Sequence, residues 1–273
     1  IAYQFYYRYQ IGEEVWLAAG GWAFFAWNLT HLFDFHSPYL GMYISLAILM
    51  ILKFNNWQIN FNSSKNIILT IVYAFFFLFI FFIGVKNSIV FNTIILIAIV
   101  IYHIKNKKYL PIIFILFLLP KNYLMQKFRN ITTSTDVIKL DYERYNLNKI
   151  HYEMALEYPI LGTGIKAYPE VIKNKYLFYN FESGLNENLN AHNQFMQSTV
   201  FFGFLGLILL IFIFYYAFKF CKKTKDLLFF LFLLLCFSAM LTESIFVTQR
   251  GIVFFSFFYS LLFVTKKSLH KQK

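Results

Sequence analysis

The residue of this sequence that is best suited to proton chemistry is His192, which forms a His-Asn pair with Asn193. They stand in the stretch NLNAHNQFMQSTVFFGFLGLILLIF, where a polar loop meets a long apolar helix. A helix this apolar belongs in lipid, so its first turn lies at the membrane surface. An imidazole at that position is either an ordinary interfacial residue or a group that faces a substrate in the same bilayer.

The start of this helix also favours an anion. The polar, turn-forming residues ESGLNENLNAH predict that the helix begins at Asn190 or His192. A helix N-terminus carries partial positive charge and free N–H groups, which favour a nearby phosphate. No HExxH motif and no second close ligand accompany His192, which argues against a metal site.

The composition identifies a membrane protein. Hydrophobic residues make up 59% of the chain, charged residues 14%, and the mean hydropathy is +0.55. Soluble domains carry nearer a quarter charged residues. Apolar runs predict an all-α, polytopic transmembrane helix bundle of about eight spans. These runs lie near residues 15–30, 38–53, 66–84, 88–104, 109–125, 193–219, 227–247 and 251–265.

The chain is expected to divide into three parts. They are N-terminal transmembrane helices over 1–120, one large loop over 121–191, and C-terminal transmembrane helices with a basic tail over 192–273. The chain opens at Ile1 without a signal-peptide pattern, so further helices are expected upstream. The two cysteines, Cys221 and Cys236, lie outside the large loop, so neither a structural disulfide nor a cysteine-based metal site is expected.

The basic residues predict the orientation. With the C-terminus in the cytoplasm, the short inner segments contain most of the lysines outside the large loop, whereas the short outer turns contain only Lys86 and Arg250. Short loops rich in Lys and Arg stay in the cytoplasm, so the large loop is expected to face outward. The net charge of +12 is then a topology signal and does not indicate nucleic-acid binding.

This orientation gathers several ionisable residues on the outer side. They are Asp34, His36, Lys86, Arg129, Arg144, His192, Glu243 and Arg250. Ionisable groups near membrane depth are costly and usually line a cavity. The cations and histidines would suit an amphiphile with an anionic head. Taken singly, Lys86 and Arg250 are better explained as side chains that reach toward lipid headgroups, and only their joint placement favours a functional role.

The large loop is expected to be partly helical. Residues 141–158 carry Leu147, Ile150, Met154 and Tyr158 at spacings of three and four, which predicts an amphipathic helix that holds Arg144 near the bilayer. The following PILGTG should end it, because proline cannot continue a helix and the glycines permit a tight turn.

The stretch that contains Arg144 and the stretch that contains His192 together resemble a known protein family. RYNLNKIHYEMALEYPILGTG followed by AHNQFMQSTVFFGFLGLILL resembles the core of the bacterial O-antigen ligase and O-antigen polymerase superfamily. The matching residues are Arg144, Pro159, Gly162, Gly164, His192, Asn193, Gly203 and Gly206. FHSPYLGMYISLAI is also similar to the family's segment before a central helix. The chain departs at Val85-Lys86, where the family often has Ser-Arg, and at Asn148, where it often has tryptophan. The family usually has about a dozen helices, so the eight that are predicted here again indicate a truncated start.

The resemblance implies a GT-C-like fold in the bacterial inner membrane and a metal-independent, inverting glycosyltransferase without cofactors. The donor would be a glycan on undecaprenyl diphosphate, and the acceptor a hydroxyl of lipid A core or of a growing glycan. His192 would act as general base, and Arg144 with Lys86 would clamp the diphosphate. Asn193, Arg129, Arg250 and His36 are further candidates for the outer pocket.

Three functions remain open at this point. A ligase would place the glycan on lipid A core, and a polymerase would extend the lipid-linked chain. The ligase-type signature around the loop favours the first. The third is a non-enzymatic transporter or flippase, which the clustering of ionisable residues at the outer edge disfavours, because transporters place them near the bilayer midplane.

Overall fold

The computed structural model describes residues 36–57, 63–105 and 135–271, and all regular structure within these ranges is helical. The chain divides into two compact units. The first comprises residues 1–119 and 227–239, and the second comprises residues 120–226 and 240–273. The all-helical prediction is therefore confirmed for the described residues.

The first unit is built from long apolar helices. Its described helices are α1 (Ser37–Phe54), α2 (Ser64–Ile83), α3 (Lys86–Lys105) and most of α8 (Leu227–Met240). A buried polar contact joins two of these helices: Asn92 of α3 donates to the Ser45 hydroxyl of α1 at 2.8 Å. Interhelical hydrogen bonds of this kind add specificity where lipid tails give helices little hydrophobic reason to associate.

The second unit combines the large loop with two apolar helices. Its described elements are α4 (Thr135–Glu157), α5 (Tyr168–Phe178), α6 (Glu182–Glu187), α7 (Gln194–Thr224), a 3₁₀ turn (Ile245–Val247) and α9 (Gln249–Lys271). The loop helices share a hydrophobic core to which α4 contributes Leu147, Ile150 and Met154, and the first turns of α7 contribute Val200. The loop is thus a folded cap that packs on the N-terminal turns of α7.

The amphipathic helix predicted over 141–158 is confirmed and begins earlier, at Thr135. Leu147, Ile150 and Met154 are buried as expected, but Tyr158 is 40% exposed. Helix α4 ends at Glu157, so Tyr158 lies just beyond the helix that the spacing predicted.

Three of the described helices are long and apolar enough to cross a membrane, namely α1, α2 and α7. Shorter apolar stretches occur in α3, α8 and α9. The candidate spans 15–30 and 109–125 lie outside the described residues. The span predicted over 227–247 was too long, because α8 ends at Met240 and a 3₁₀ turn follows at Ile245–Val247.

Candidate functional site

The chain changes direction at His192 before α7 begins. His192 has a φ of 44°, in the left-handed region, and Asn193 is the extended N-cap residue, so α7 starts at Gln194. The side-chain oxygen of Asn193 accepts hydrogen bonds from the backbone N–H groups of Phe195 at 3.0 Å and Met196 at 3.1 Å. The helix start predicted at Asn190 or His192 was therefore wrong, because an asparagine cap satisfies the first turn from position 193.

This cap also alters the expected anion site. Two of the N–H groups at the start of α7 are already occupied by Asn193, so they are not available to a phosphate. The helix dipole still favours negative charge nearby. An anion at this junction would therefore be bound by side chains more than by the N–H groups of α7.

The segment after α8 holds the His-Asn pair in place. The Asn193 N–H donates to the Ser244 hydroxyl at 3.2 Å, and Gln194 accepts from the Phe246 N–H at 2.6 Å. His192 Nδ1 lies 3.4 Å from a carboxylate oxygen of Glu243. A carboxylate at this nitrogen orients an imidazole and stabilises its protonated form.

A cavity of about 160 Å³ lies beside this junction. It is lined by Arg144, Leu147, Asn148, Ala191, His192, Asn193, Leu241 and Thr242. Three of the predicted site residues, Arg144, His192 and Asn193, are thus brought together although they come from α4 and from the start of α7. A guanidinium, an imidazole and amides around a small opening can bind an anionic group and move a proton next to it.

The other predicted site residues are not brought to this cavity by the described structure. Arg250 lies in the first turn of α9, half-buried, and is not part of the lining. His36 is the N-cap residue of α1 and Lys86 is the first residue of α3, both in the first unit. Arg129 lies outside the described residues. Roles for these four residues stay predictions.

The PILGTG turn docks onto α7 through its backbone. The N–H groups of Thr163 and Gly164 donate to the carbonyls of Val200 and Phe201 at 2.8 and 3.0 Å, and the Phe204 N–H donates to Pro159 at 2.8 Å. These bonds replace helical ones, because α7 is broken at Gly203, where φ is 66° and ψ is −167°. The PILGTG turn therefore joins the loop to α7 at a point C-terminal to the His-Asn pair.

The close approach of the two segments requires glycine. A Cβ at Gly162 would lie 2.4 Å from the Phe201 carbonyl carbon, and one at Gly203 would lie 2.1 Å from the Ile160 oxygen. Both residues also have a positive φ. The tight turn at Gly162 was predicted from the sequence, whereas the break of α7 at Gly203 was not.

A buried histidine, His151, joins α4 to α5 and was not among the residues predicted from the sequence. His151 is fully buried, and its Nδ1 is 2.7 Å from the Leu147 carbonyl oxygen. Its Nε2 is 3.0 Å from the Tyr168 hydroxyl, which ties α4 to α5. Burial, and to a smaller extent the charge of His192, lower the pKa of His151 to about 4, although the hydrogen bond to the Leu147 carbonyl opposes this shift. The burial of His151 could have been predicted from its position, because it follows Ile150 directly and lies on the apolar stripe of α4.

His151 should make the loop sensitive to acid. The unfolded chain takes up a proton near pH 6.5, whereas the folded chain does so only near pH 4. Stability is therefore full above pH 6.5 and falls as the pH drops toward 4, by about 3 kcal/mol in total. Thermal unfolding of the purified protein in detergent across this range measures the effect. His151→Gln cannot take up a proton and should flatten the pH dependence, whereas an unchanged slope would contradict this role.

Comparison with known proteins identifies the family. The family model for O-antigen ligases matches residues 15–211. No curated protein and no solved structure matches the chain significantly. The matched range includes Arg144, the PILGTG turn, the His-Asn pair and the break at Gly203. Members of the family are glycosyltransferase-like membrane enzymes. Since the match covers well over half of the chain and contains the cavity residues of α4 and of the segment that precedes α7, the chain belongs to the O-antigen ligase family.

Proposed function

We propose that this protein is an O-antigen ligase-type glycosyltransferase. It transfers a glycan from undecaprenyl diphosphate to a hydroxyl of lipid A core on the periplasmic face of the inner membrane. The observation that carries this proposal is the single cavity shared by Arg144, His192 and Asn193 in a chain of the O-antigen ligase family. That cavity combines a group for proton transfer with a group for anion binding.

His192 is the general base in this proposal. With Nδ1–H directed at Glu243, the ring presents Nε2 to the acceptor hydroxyl. Nε2 takes the hydroxyl proton while the acceptor oxygen forms a bond to the anomeric carbon of the donor sugar. The bond from that carbon to the phosphate oxygen breaks on the opposite side, so the anomeric configuration inverts.

Arg144 stabilises the leaving group. The bond that breaks leaves its electron pair on the lipid diphosphate, and a guanidinium next to that oxygen offsets the developing charge. Lys86, Arg129, Arg250 and His36 are candidates for further contacts with the donor head group, and Asn193 for contacts at the cavity wall. The reaction needs no metal, because these cations supply the charge stabilisation.

A lipopolysaccharide gel tests the function. A host that lacks this gene should show bare core, with long lipid-linked chains accumulating, and the wild-type gene should restore the ladder. Core bearing a single repeat would instead identify a polymerase. Glycan transfer by the purified protein without an ion gradient separates both enzymes from a transporter or flippase, and a ladder unchanged by the deletion would contradict the proposal.

A further inference from the structure

The turn between α4 and α5 presents an apolar surface. Residues 158–165 read YPILGTGI and contain no charged side chain, whereas Glu157 precedes them and Lys166 follows. Ile160 is 67% exposed, Leu161 is 74% exposed and Ile165 is 59% exposed. Three large aliphatic side chains displayed on one short turn mark a surface that meets something apolar.

The backbone of this turn has its polar groups satisfied by α7. Thr163 and Gly164 donate to carbonyls of the broken helix, and the Pro159 carbonyl accepts from Phe204. The Gly162 N–H donates to the Tyr158 carbonyl at 3.1 Å. Irregular backbone is tolerated at membrane depth only where protein supplies its hydrogen bonds. The docking onto α7 meets that condition.

The point at which the turn is bonded to α7 indicates how deep the turn lies in the bilayer. Lysines begin at Lys219 and mark the inner end of the apolar stretch. From Gly203 to Lys219 the helix rises about 24 Å at roughly 1.5 Å per residue. The hydrocarbon core of a bilayer is about 30 Å thick. With Lys219 at the cytoplasmic boundary, Gly203 and the turn bonded to it lie just inside the outer edge of the hydrocarbon.

We propose that the turn 158–165 is a membrane-docking element, whose Ile160, Leu161 and Ile165 side chains enter the acyl chains of the outer leaflet. The partner is the bilayer itself. This inference rests on the orientation of α7 and is independent of the reaction that the cavity performs. Docking would hold the loop, and the Arg144–His192 cavity with it, at the depth where a lipid diphosphate lies.

Fluorescence quenching tests this contact in the full-length protein. Single cysteines at Leu161 and at Phe178 are labelled with a small fluorophore in a chain with Cys221→Ala and Cys236→Ala, reconstituted into phosphatidylethanolamine–phosphatidylglycerol vesicles. Phe178 is the matched control, because it is similarly exposed, at 76%, but is the last residue of α5 and lies outside the turn 158–165.

The expected pattern is opposite at the two positions. Brominated acyl chains should quench the label at Leu161 several-fold more than the label at Phe178, whereas aqueous iodide should quench the label at Phe178 preferentially. Thermal unfolding equal to that of the unlabelled protein shows that neither label disturbs the fold. Quenching of the Leu161 label by iodide, or by neither agent, would overturn the proposal, whatever the transferase activity.

Discussion

Replacing His192 with asparagine should reduce glycan transfer by about 10²–10⁴-fold, the usual contribution of a positioned general base. Asparagine is the right replacement because it tolerates the left-handed conformation at this position, where φ is 44°, better than alanine does. The His192 side chain is 40% exposed and has one long contact, to Glu243, so its loss should leave the fold intact. Single-turnover transfer by the purified protein measures the effect.

Two further variants make this result specific. Lys166→Ala removes an exposed charge of the same loop outside the cavity and should keep wild-type turnover. Glu243→Gln keeps the shape but loses the carboxylate that orients the imidazole, so it should cause a smaller loss than His192→Asn and alter the pH profile of transfer. Wild-type turnover by His192→Asn, with normal expression and membrane insertion, would remove His192 from the role of base.

The loop illustrates which parts of a fold a sequence pattern predicts. Helix α4 was predictable because Leu147, Ile150 and Met154 repeat at helical spacing over several turns. Helices α5 and α6 were not, because their buried residues are few and their helicity depends on packing against α4 and α7. Short helices gain most of their stability from tertiary contacts, so they leave little trace in local periodicity.

The candidate site likewise has features that the sequence predicts and features that depend on the fold. The pairing of Arg144 with His192 was implied by the family resemblance, and the described structure places both at one cavity. The contact between His192 and Glu243 spans 51 residues, and only the fold brings them together. The predicted topology places Glu243 on the outer side together with His192, but it does not pair them. The left-handed backbone of His192 had no signal, since glycine or asparagine is the usual residue there.

Replacing Gly203 with alanine should destabilise the second unit by about 2–6 kcal/mol. A residue with a side chain is strained at a φ of 66° and a ψ of −167°, which costs about 1–3 kcal/mol. A Cβ there would also lie 2.1 Å from the Ile160 carbonyl oxygen. Because that oxygen belongs to backbone held by hydrogen bonds, relief requires the turn to move, at a further cost of about 1–3 kcal/mol. Thermal unfolding of the purified protein in detergent measures the loss.

Gly164→Ala is the matched control, because it introduces backbone strain without a close contact between the new Cβ and another atom. Gly164 also has a positive φ, of 73°, but a Cβ there would meet nothing within 4 Å. Its replacement should therefore cost only the left-handed conformation, about 1–2 kcal/mol. If Gly203→Ala were no more damaging than Gly164→Ala, the contact between the turn and the break in α7 would not be needed for stability. If Gly203→Ala is the more damaging change, glycine is required at position 203 because the PILGTG backbone contacts α7 directly there. That contact lies on the same helix that follows the histidine of the proposed reaction.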